Sequence, residues 1–415
     1  MSAFARVLCA AAALMCVAAP SATATPASSP ATRKVVVQYR STAQLADLER
    51  SGARIVRTLP ALHSAVVETS RSLAGPRPVL RRVLTVDEPA LAQTFLPGIA
   101  WEWQWDAARV GEVPDWALRA ASSVTVAVID SGADLAAPDL ADKSPRTWSV
   151  LSHSSRVRDK LGHGTFVASL ATGSVENGVG ISGFGGDAKL LAIQAIDAEG
   201  YVTDVDEAAA IVYAVKHGAK IINLSIGGSE TSAIEKRALQ FAFRHGVLVV
   251  AAAGNEHDQG NPVEYPAALL QPVGSHGRGG IGLAVGATNM DGTRAYFSNT
   301  GSYLSLAAPG YNVFAAESAD SDWPRAELPW TSAGFYGWAS GTSFAAPEVA
   351  GVAALVWGVN PRLTVRQVAQ VLKQSAAGDT WNHELGFGRL DAAAAVQLAQ
   401  ETRGLAPRLA HRRHR

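Results

Sequence analysis

Cysteine is nearly absent. The sequence has two, Cys9 and Cys16, and both fall inside residues 1–24, which read as a secretory signal: Arg6 gives a positive start, 7–19 is apolar, and Ala22, Thr23 and Ala24 are small residues before a cut. The chain expected after that cut has no thiol, so its stability has to come from packing or a metal and not from disulfides. Cys16 follows Leu14 and Met15, not the small residues expected of a lipid-attachment site. An excess of either charge is also missing. Lys plus Arg and Asp plus Glu number 36 each, so no net field draws the chain onto nucleic acid or a membrane surface. Charged residues make up 17%, below the roughly 25% usual for soluble domains. Long uncharged apolar runs are lacking too: the signal's stretch is shorter than the ~20 residues a membrane helix needs, and no later stretch qualifies. A secreted, extracellular protein with no integral membrane segment is expected.

Small and apolar residues are plentiful. With 415 residues, 48% hydrophobic content and 38 glycines, the chain can bury a large core and suits one big domain plus a smaller one. Residues 25–33 have a disordered-linker composition. Residues 34–96 hold strand candidates at 34–39, 54–59, 63–69 and 80–86, a short helix at 41–50 ending before Gly52, and a break at Gly75 and Pro76. That makes a small α+β module, marginal in size for folding alone. Residues 97–116 are aromatic and irregular, with Trp101, Trp103 and Trp105 at alternate positions. Continuous apolar runs then follow at 124–129, 190–195, 220–225, 248–253, 283–287 and 304–308, with helical patterns at 204–216, 232–245, 364–375 and 391–400. Such strands alternating with helices predict an α/β fold over 97–400, a doubly wound, mainly parallel sheet with helices on both faces. Residues 401–415 are rich in Arg and His without periodicity and read as a disordered basic tail.

Residues able to do chemistry fall at the ends of these elements. Ser343, in G-T-S-F-A-A-P, opens a long helical run, where unpaired N–H groups and the helix dipole favour an anion beside the hydroxyl. An ordinary N-cap would read the same way. Asp130 ends the first buried strand, on the edge of a parallel sheet where ligands gather, although a helix cap or metal ligand fits there as well. His163 stands between Gly162 and Gly164 at a helix start, which lets another group approach the ring. Asn255 follows Gly254 at a strand end, as a turn residue or as an amide donor to a developing oxyanion. The chain order is acid, base, nucleophile, the order of subtilisin.

At this point the sequence resembles the subtilisin-like serine protease family. The matching motifs are A-V-I-D-S-G at Asp130, G-H-G-T-F-V-A at His163, N-L-S-I-G-G at Ser225, A-A-G-N-E at Asn255 and G-T-S-F-A-A-P at Ser343. The resemblance implies a serine endopeptidase acting through Asp130, His163 and Ser343, with Asn255 and the Ser343 N–H as oxyanion donors. Ser225, Ile226 and Gly227 look like the segment that pairs with a polypeptide substrate as an added strand. Ala252, Ala253 and Gly254 look like the opposite wall of the main specificity pocket, whose small residues leave room for a large apolar side chain. Residues 34–96 are similar to the family's propeptide, a folding chaperone and intramolecular inhibitor, with a cut expected between Glu88 and Trp101. The loop 175–181 resembles the family's calcium loop, with Asn177 and Asp139 as side-chain ligands. A glycine-rich turn without metal is the other reading. Phe344 and Glu348 depart from the family's usual Met and His.

Two rivals remain to be weighed. G-V-G-I-S-G at 178–183 fits a dinucleotide fingerprint, but that needs a strand before and a helix after, and the order here is reversed. A catalytically silent binding or scaffold protein of the same fold is the alternative reading, and the competent residue at every catalytic position speaks against it.

Overall fold

The computed structural model describes residues 32–70, 73, 77–83, 102–323 and 335–402. The expected signal, the processing region 88–101 and positions 403–415 lie outside them. The N-terminal module contains β1 (Arg33–Gln38), β2 (Arg54–Leu59), β3 (Ser64–Thr69) and β4 (Arg77–Pro78) in the order β2-β3-β1-β4, with the helix Thr42–Arg50. Period-2 alternation divides its apolar residues between two faces. Val35, Val37, Ala65 and Val67 pack with Leu45 of its own helix. Val36, Val66, Leu59 and Leu62 instead join a core cluster of the large domain. The module is therefore a wedge with one face closed on itself and the other on its neighbour. Just after it, β5 (Arg81–Val83) crosses to the large domain.

The large domain is built on seven parallel strands: β6 (Thr125–Asp130), β7 (Arg146–Ser149), β8 (Lys189–Gln194), β10 (Ile221–Leu224), β11 (Leu248–Ala252), β12 (Gly282–Thr288) and β13 (Leu306–Pro309). The short β9 (Tyr201–Thr203) precedes the helix Asp204–Lys216 and pairs with β5 outside this sheet. Sheet order is β13-β12-β11-β10-β6-β8-β7. The chain starts at β6, builds towards β7, then crosses to β10 on the other side. The switch point, where an open α/β sheet forms its crevice, is thus at the carboxyl end of β6.

Both faces of the sheet are buried, which is why its strands are continuous apolar runs. Val126 and Val128 face a cluster containing the central helix Thr342–Val359, while Ala127 and Ile129 face the helices Asp204–Lys216 and Ala233–Arg244. Each fully buried Val, Ile or Leu contributes roughly 1.5–3 kcal/mol of transfer free energy, so the sheet is a rigid platform for whatever its ends carry. By length and composition the central helix passes as a membrane span, contrary to the expectation that no later stretch would, but 94% of it is buried as the core of this domain.

Some boundaries differ from those expected. The helix Ala392–Thr402 runs past position 400, held by Thr402 Oγ1 donating to Leu398 O at 2.7 Å and Gln397 Nε2 donating to Glu401 Oε1 at 3.0 Å. A strand not expected from the sequence, β15 (Phe335–Ala339), pairs antiparallel with β14 (Val313–Glu317). Trp103 opens a short helix, Trp103–Ala107, and its indole N–H donates to Asn312 O at 2.9 Å.

Candidate active site

Asp130 is the last residue of β6 and has no solvent exposure. Its Oδ1 accepts from the Ser131 N–H at 2.7 Å and meets His163 Nδ1 at 2.7 Å. A carboxylate only accepts, so Nδ1 carries the proton and Nε2 is left as the basic ring nitrogen. His163 is the first residue of the helix His163–Thr172, entered through Gly162 at φ +90°, a backbone shape that favours glycine. Gly164 is fixed by lack of space, since a Cβ there would stand 2.2 Å from Gly132 O.

Asp159 ties these two segments together, and sequence reasoning missed it. Its buried carboxylate accepts from Ser131 Oγ (2.8 Å), Gly162 N (2.8 Å), Thr165 N (2.7 Å) and Thr165 Oγ1 (2.6 Å). The Ser131 hydroxyl in turn accepts from Gly164 N at 2.9 Å. One anion at a helix start thus satisfies first-turn N–H groups and locks the loop after Asp130 to the helix that carries His163.

Ser343 is the second residue of the central helix and is buried to 5% exposure. The next residue, Phe344, puts its ring 5.5 Å from the His163 ring and 4.6 Å from that of Phe166, which brings the helix start against the Asp130–His163 pair. Pro347 lies four residues on and has no N–H, so the Ser343 carbonyl loses its helical partner. That carbonyl accepts from Ser225 Oγ at 2.6 Å instead. Asn255 is anchored from the same helix start. Its Oδ1 accepts from Thr342 N at 2.8 Å and Thr342 Oγ1 at 2.9 Å, which turns the amide's Nδ2 end away from Thr342. Thr342 Oγ1 itself accepts from Gly254 N at 3.1 Å. The residues singled out in the sequence, Asp130, His163, Asn255, Ser343 and Ser225, therefore form one connected constellation at the switch point.

A subtilase family model matches residues 121–388, well over half of the chain. The chain belongs to the subtilase family. With that membership it is a serine-type endopeptidase of the subtilisin-like kind. Thermitase of Thermoactinomyces vulgaris is 33% identical over 288 residues, 68% of this chain and 91% of that protein. Subtilisin amylosacchariticus of Bacillus subtilis subsp. amylosacchariticus is 34% identical over 277 residues, 66% of each chain. Among solved structures, fervidolysin from Fervidobacterium pennivorans, described as a keratinolytic enzyme related to subtilisin, matches with a TM-score of 0.72 at 26% identity. That match covers 90% of this chain and 62% of fervidolysin.

In this subtilase the proposed pocket walls contain a group not anticipated from the sequence. Gly227 follows β10 and Gly254 follows β11. A Cβ on Gly227 would stand 3.1 Å from Glu264 Oε2, and one on Gly254 would stand 2.5 Å from Glu264 Cγ. A carboxyl group thus lies between the two walls that were expected to receive a large apolar side chain. Glu264 is 5% exposed, and among the described residues its side chain accepts no hydrogen bond. Burial first, then the charge of Glu256, pushes its carboxyl up to about 8, against a lowering by Arg82.

The loop expected to hold calcium brings Asp139 and Asn177 close but turns both to protein partners. Asp139 Oδ1 accepts from Ile181 N and Oδ2 from the Tyr336 hydroxyl, both at 2.7 Å. Asn177 Oδ1 accepts from Val179 N and its Nδ2 donates to Pro138 O, both at 3.2 Å. Burial holds the Asp139 carboxyl up at about 6. Both oxygens of Asp139 are bonded to donors, so Asp139 and Asn177 as arranged do not fit a cation cage; a phenol closes the loop.

Proposed function

We propose that this subtilase is a secreted endopeptidase made as a self-processed precursor, with Ser343 as nucleophile, His163 as general base and Asp130 as the group that orients and charges the imidazole. Ser343 Oγ attacks the peptide carbonyl carbon while its proton passes to His163 Nε2. The resulting oxyanion is held by Asn255 Nδ2 and the first-turn N–H of Ser343, which has no carbonyl within its helix to bond. Collapse expels the amine, which takes the proton from His163, and water then repeats the sequence on the acyl-enzyme. The carrying observation is the 2.7 Å contact between buried His163 Nδ1 and Asp130 Oδ1 at the sheet's switch point. The backbone at 225–227 and the wall at 252–254 would take the substrate on either side.

Docking of the N-terminal module supports its reading as an intramolecular inhibitor. Besides the shared apolar face, Arg57 Nη1 donates to Asp206 Oδ1 at 2.7 Å, Arg237 Nη2 to Ser64 Oγ at 3.1 Å and Leu80 N to Asp204 Oδ1 at 3.1 Å. Calcium at Asp139 and Asn177, expected from the family resemblance, would require the Tyr336 hydroxyl to leave Asp139. Labelling by an organophosphonate serine probe tests the central assignment: covalent labelling and peptide hydrolysis are expected, and both should vanish in Ser343→Ala. Hydrolysis that persists in that variant would refute it.

A further inference from the structure

Among the described residues of the N-terminal segment, Arg82 has the most deeply buried ion pairs. In β5 it pairs with Val202 of β9, between Arg81↔Thr203 and Val83↔Tyr201, so this segment lies antiparallel on the large domain as an added strand. Neighbours on a strand point to opposite faces. Arg81 therefore turns outward over the Tyr201 ring, 3.6 Å from its centroid, while Arg82 turns inward and is 7% exposed. Its Nη1 donates to Glu207 Oε2 at 2.9 Å and its Nη2 to Glu235 at 2.8 Å and to Glu230 O at 2.8 Å. Its stem packs where a Cβ on Gly228 would stand, 3.0 Å from Cδ, immediately beyond the backbone assigned to substrate pairing.

The pocket holds more carboxyl groups than Arg82 pairs. Glu207, Glu235 and Asp204 are each no more than 1% exposed, and among the described residues Arg82 is the only cation bonded to Glu207 or Glu235. Glu207 Oε1 and Asp204 Oδ2 have no hydrogen-bond partner there. These acids sit in the first turns of the helices Asp204–Lys216 and Ala233–Arg244, and their carboxylates come from one domain, the cation from another. Burial and mutual repulsion raise the Glu207 carboxyl, so the site binds a cation or takes up protons.

We infer that Glu207, Glu235 and Asp204 form a subsite for a cationic side chain, arginine foremost, of an extended polypeptide substrate lying on β9 as β5 does. Arg82 occupies it in the precursor as a substrate mimic. Chain direction sets the side of the cut. From Arg81 to Val83 the strand runs past Thr203 towards Tyr201, whose carbonyl accepts from Asp197 N at 2.9 Å. The same turn begins at Ala195, whose N–H donates to Asp130 O at 2.8 Å. The residues that reach the triad therefore follow the arginine, which places the selected cation on the N-terminal side of the scissile bond. This inference rests on the peptidase reading.

The test uses the full-length chain, expressed and left to mature, against fluorogenic peptides that differ only by arginine or its neutral isostere citrulline at successive positions before the cut. One position is expected to show a kcat/KM at least about tenfold higher for arginine, as a desolvated, hydrogen-bonded charge pair warrants. In a Glu207→Gln, Glu235→Gln double variant that ratio should fall towards one, with phosphonate labelling of Ser343 reporting that the fold survives. Cleavage with no arginine preference at any position overturns the inference on the wild type alone, whether or not the variant folds. So does a preference that the double variant keeps. No cleavage of any peptide, with the phosphonate left unbound, would instead overturn the peptidase reading and this subsite with it.

Discussion

Glu348 offers the sharpest test of the core as described. It lies on the central helix five residues beyond Ser343, has no exposure, and neither carboxyl oxygen finds a partner among the described residues. Burial alone raises its carboxyl well above the ordinary glutamate value. The folded state therefore keeps a proton that the unfolded chain releases above about pH 4.3. With more protons bound in the folded than in the unfolded state, stability falls as pH rises, by about 1.36 kcal/mol per pH unit until the shifted value is reached. Glu348→Leu removes that slope while filling similar space. It also removes an unsatisfied buried carboxyl, itself a cost of about 1–3 kcal/mol. Other titrating groups are common to both proteins and cancel in the difference. Between pH 5 and pH 7 the leucine variant should gain steadily on the wild type, at that slope for as long as the pH stays below the shifted value and by at most about 2.7 kcal/mol. At roughly 2–4 °C per kcal/mol the gap in unfolding midpoint widens by up to about 10 °C. Scanning calorimetry of phosphonate-inhibited protein at the two pH values reads it directly. A leucine variant no more stable than wild type at pH 7, or a gap that does not change with pH, would refute the reasoning.

Three further outcomes follow from the site. Asn255→Leu should lower kcat roughly 10²–10³-fold with little change in KM, the magnitude for the corresponding donor of subtilisin; an effect carried by KM would point to lost positioning of Thr342. Glu264 ionises only above about 8 in the empty pocket, so its attraction for a cation is present above that value and lost as pH falls through it. The groups that bear on it are Glu256, Arg82 and Tyr303. A peptide with lysine immediately before the cut should therefore gain on its leucine counterpart between pH 7 and 9, and Glu264→Gln should abolish the gain; parallel profiles for the two peptides would exclude Glu264 from the pocket. With Asp139 bonded to Tyr336 and Ile181, EDTA should leave the unfolding midpoint unchanged while Tyr336→Phe lowers it. A calcium-reversible loss in EDTA would show that the phenol yields to a cation.

The parts legible from the sequence are those whose physics is local. Strands buried on both faces must be continuous apolar runs, so β6, β8, β10, β11, β12 and β13 were each expected within two residues of where they lie. Asp130, His163, Asn255 and Ser343 stood out because glycine or small residues beside a strand end or helix start leave a recognisable trace. The strands β7 and β9 left none, being four and three residues long and half-exposed. Tyr336 arrives at Asp139 from a stretch whose composition gives no element, so nothing in the calcium-like loop itself signals the phenol that closes it. Glu264 was missed because a pocket was inferred from its two walls alone, and its floor comes from a separate loop. Asp204, Glu207 and Glu235 look, in sequence, like acids favoured by a helix dipole in a first turn. Only the packing of the helices Asp204–Lys216 and Ala233–Arg244 side by side makes them one pocket.

The same packing gives the cleft a sign that composition conceals. The chain has equal numbers of acidic and basic residues, yet Asp204, Glu207, Glu235, Glu256 and Glu264 all lie along the side proposed to bind substrate, and Arg82 acts electrostatically on four of them. In a low-dielectric cleft like charges raise one another's proton affinity and attract any cation that enters. While the N-terminal segment is in place one guanidinium meets that demand. Were it cut away, as proposed, the carboxylates would be exposed to each other and to water. Whatever strengthens the hold of the segment, by deepening the negative field, strengthens the hold on a cationic substrate by the same contacts. On the proposed reading, inhibition before maturation and selectivity after it would be set by a single group of residues, and neither could be changed by substitution at Glu207 or Glu235 without moving the other.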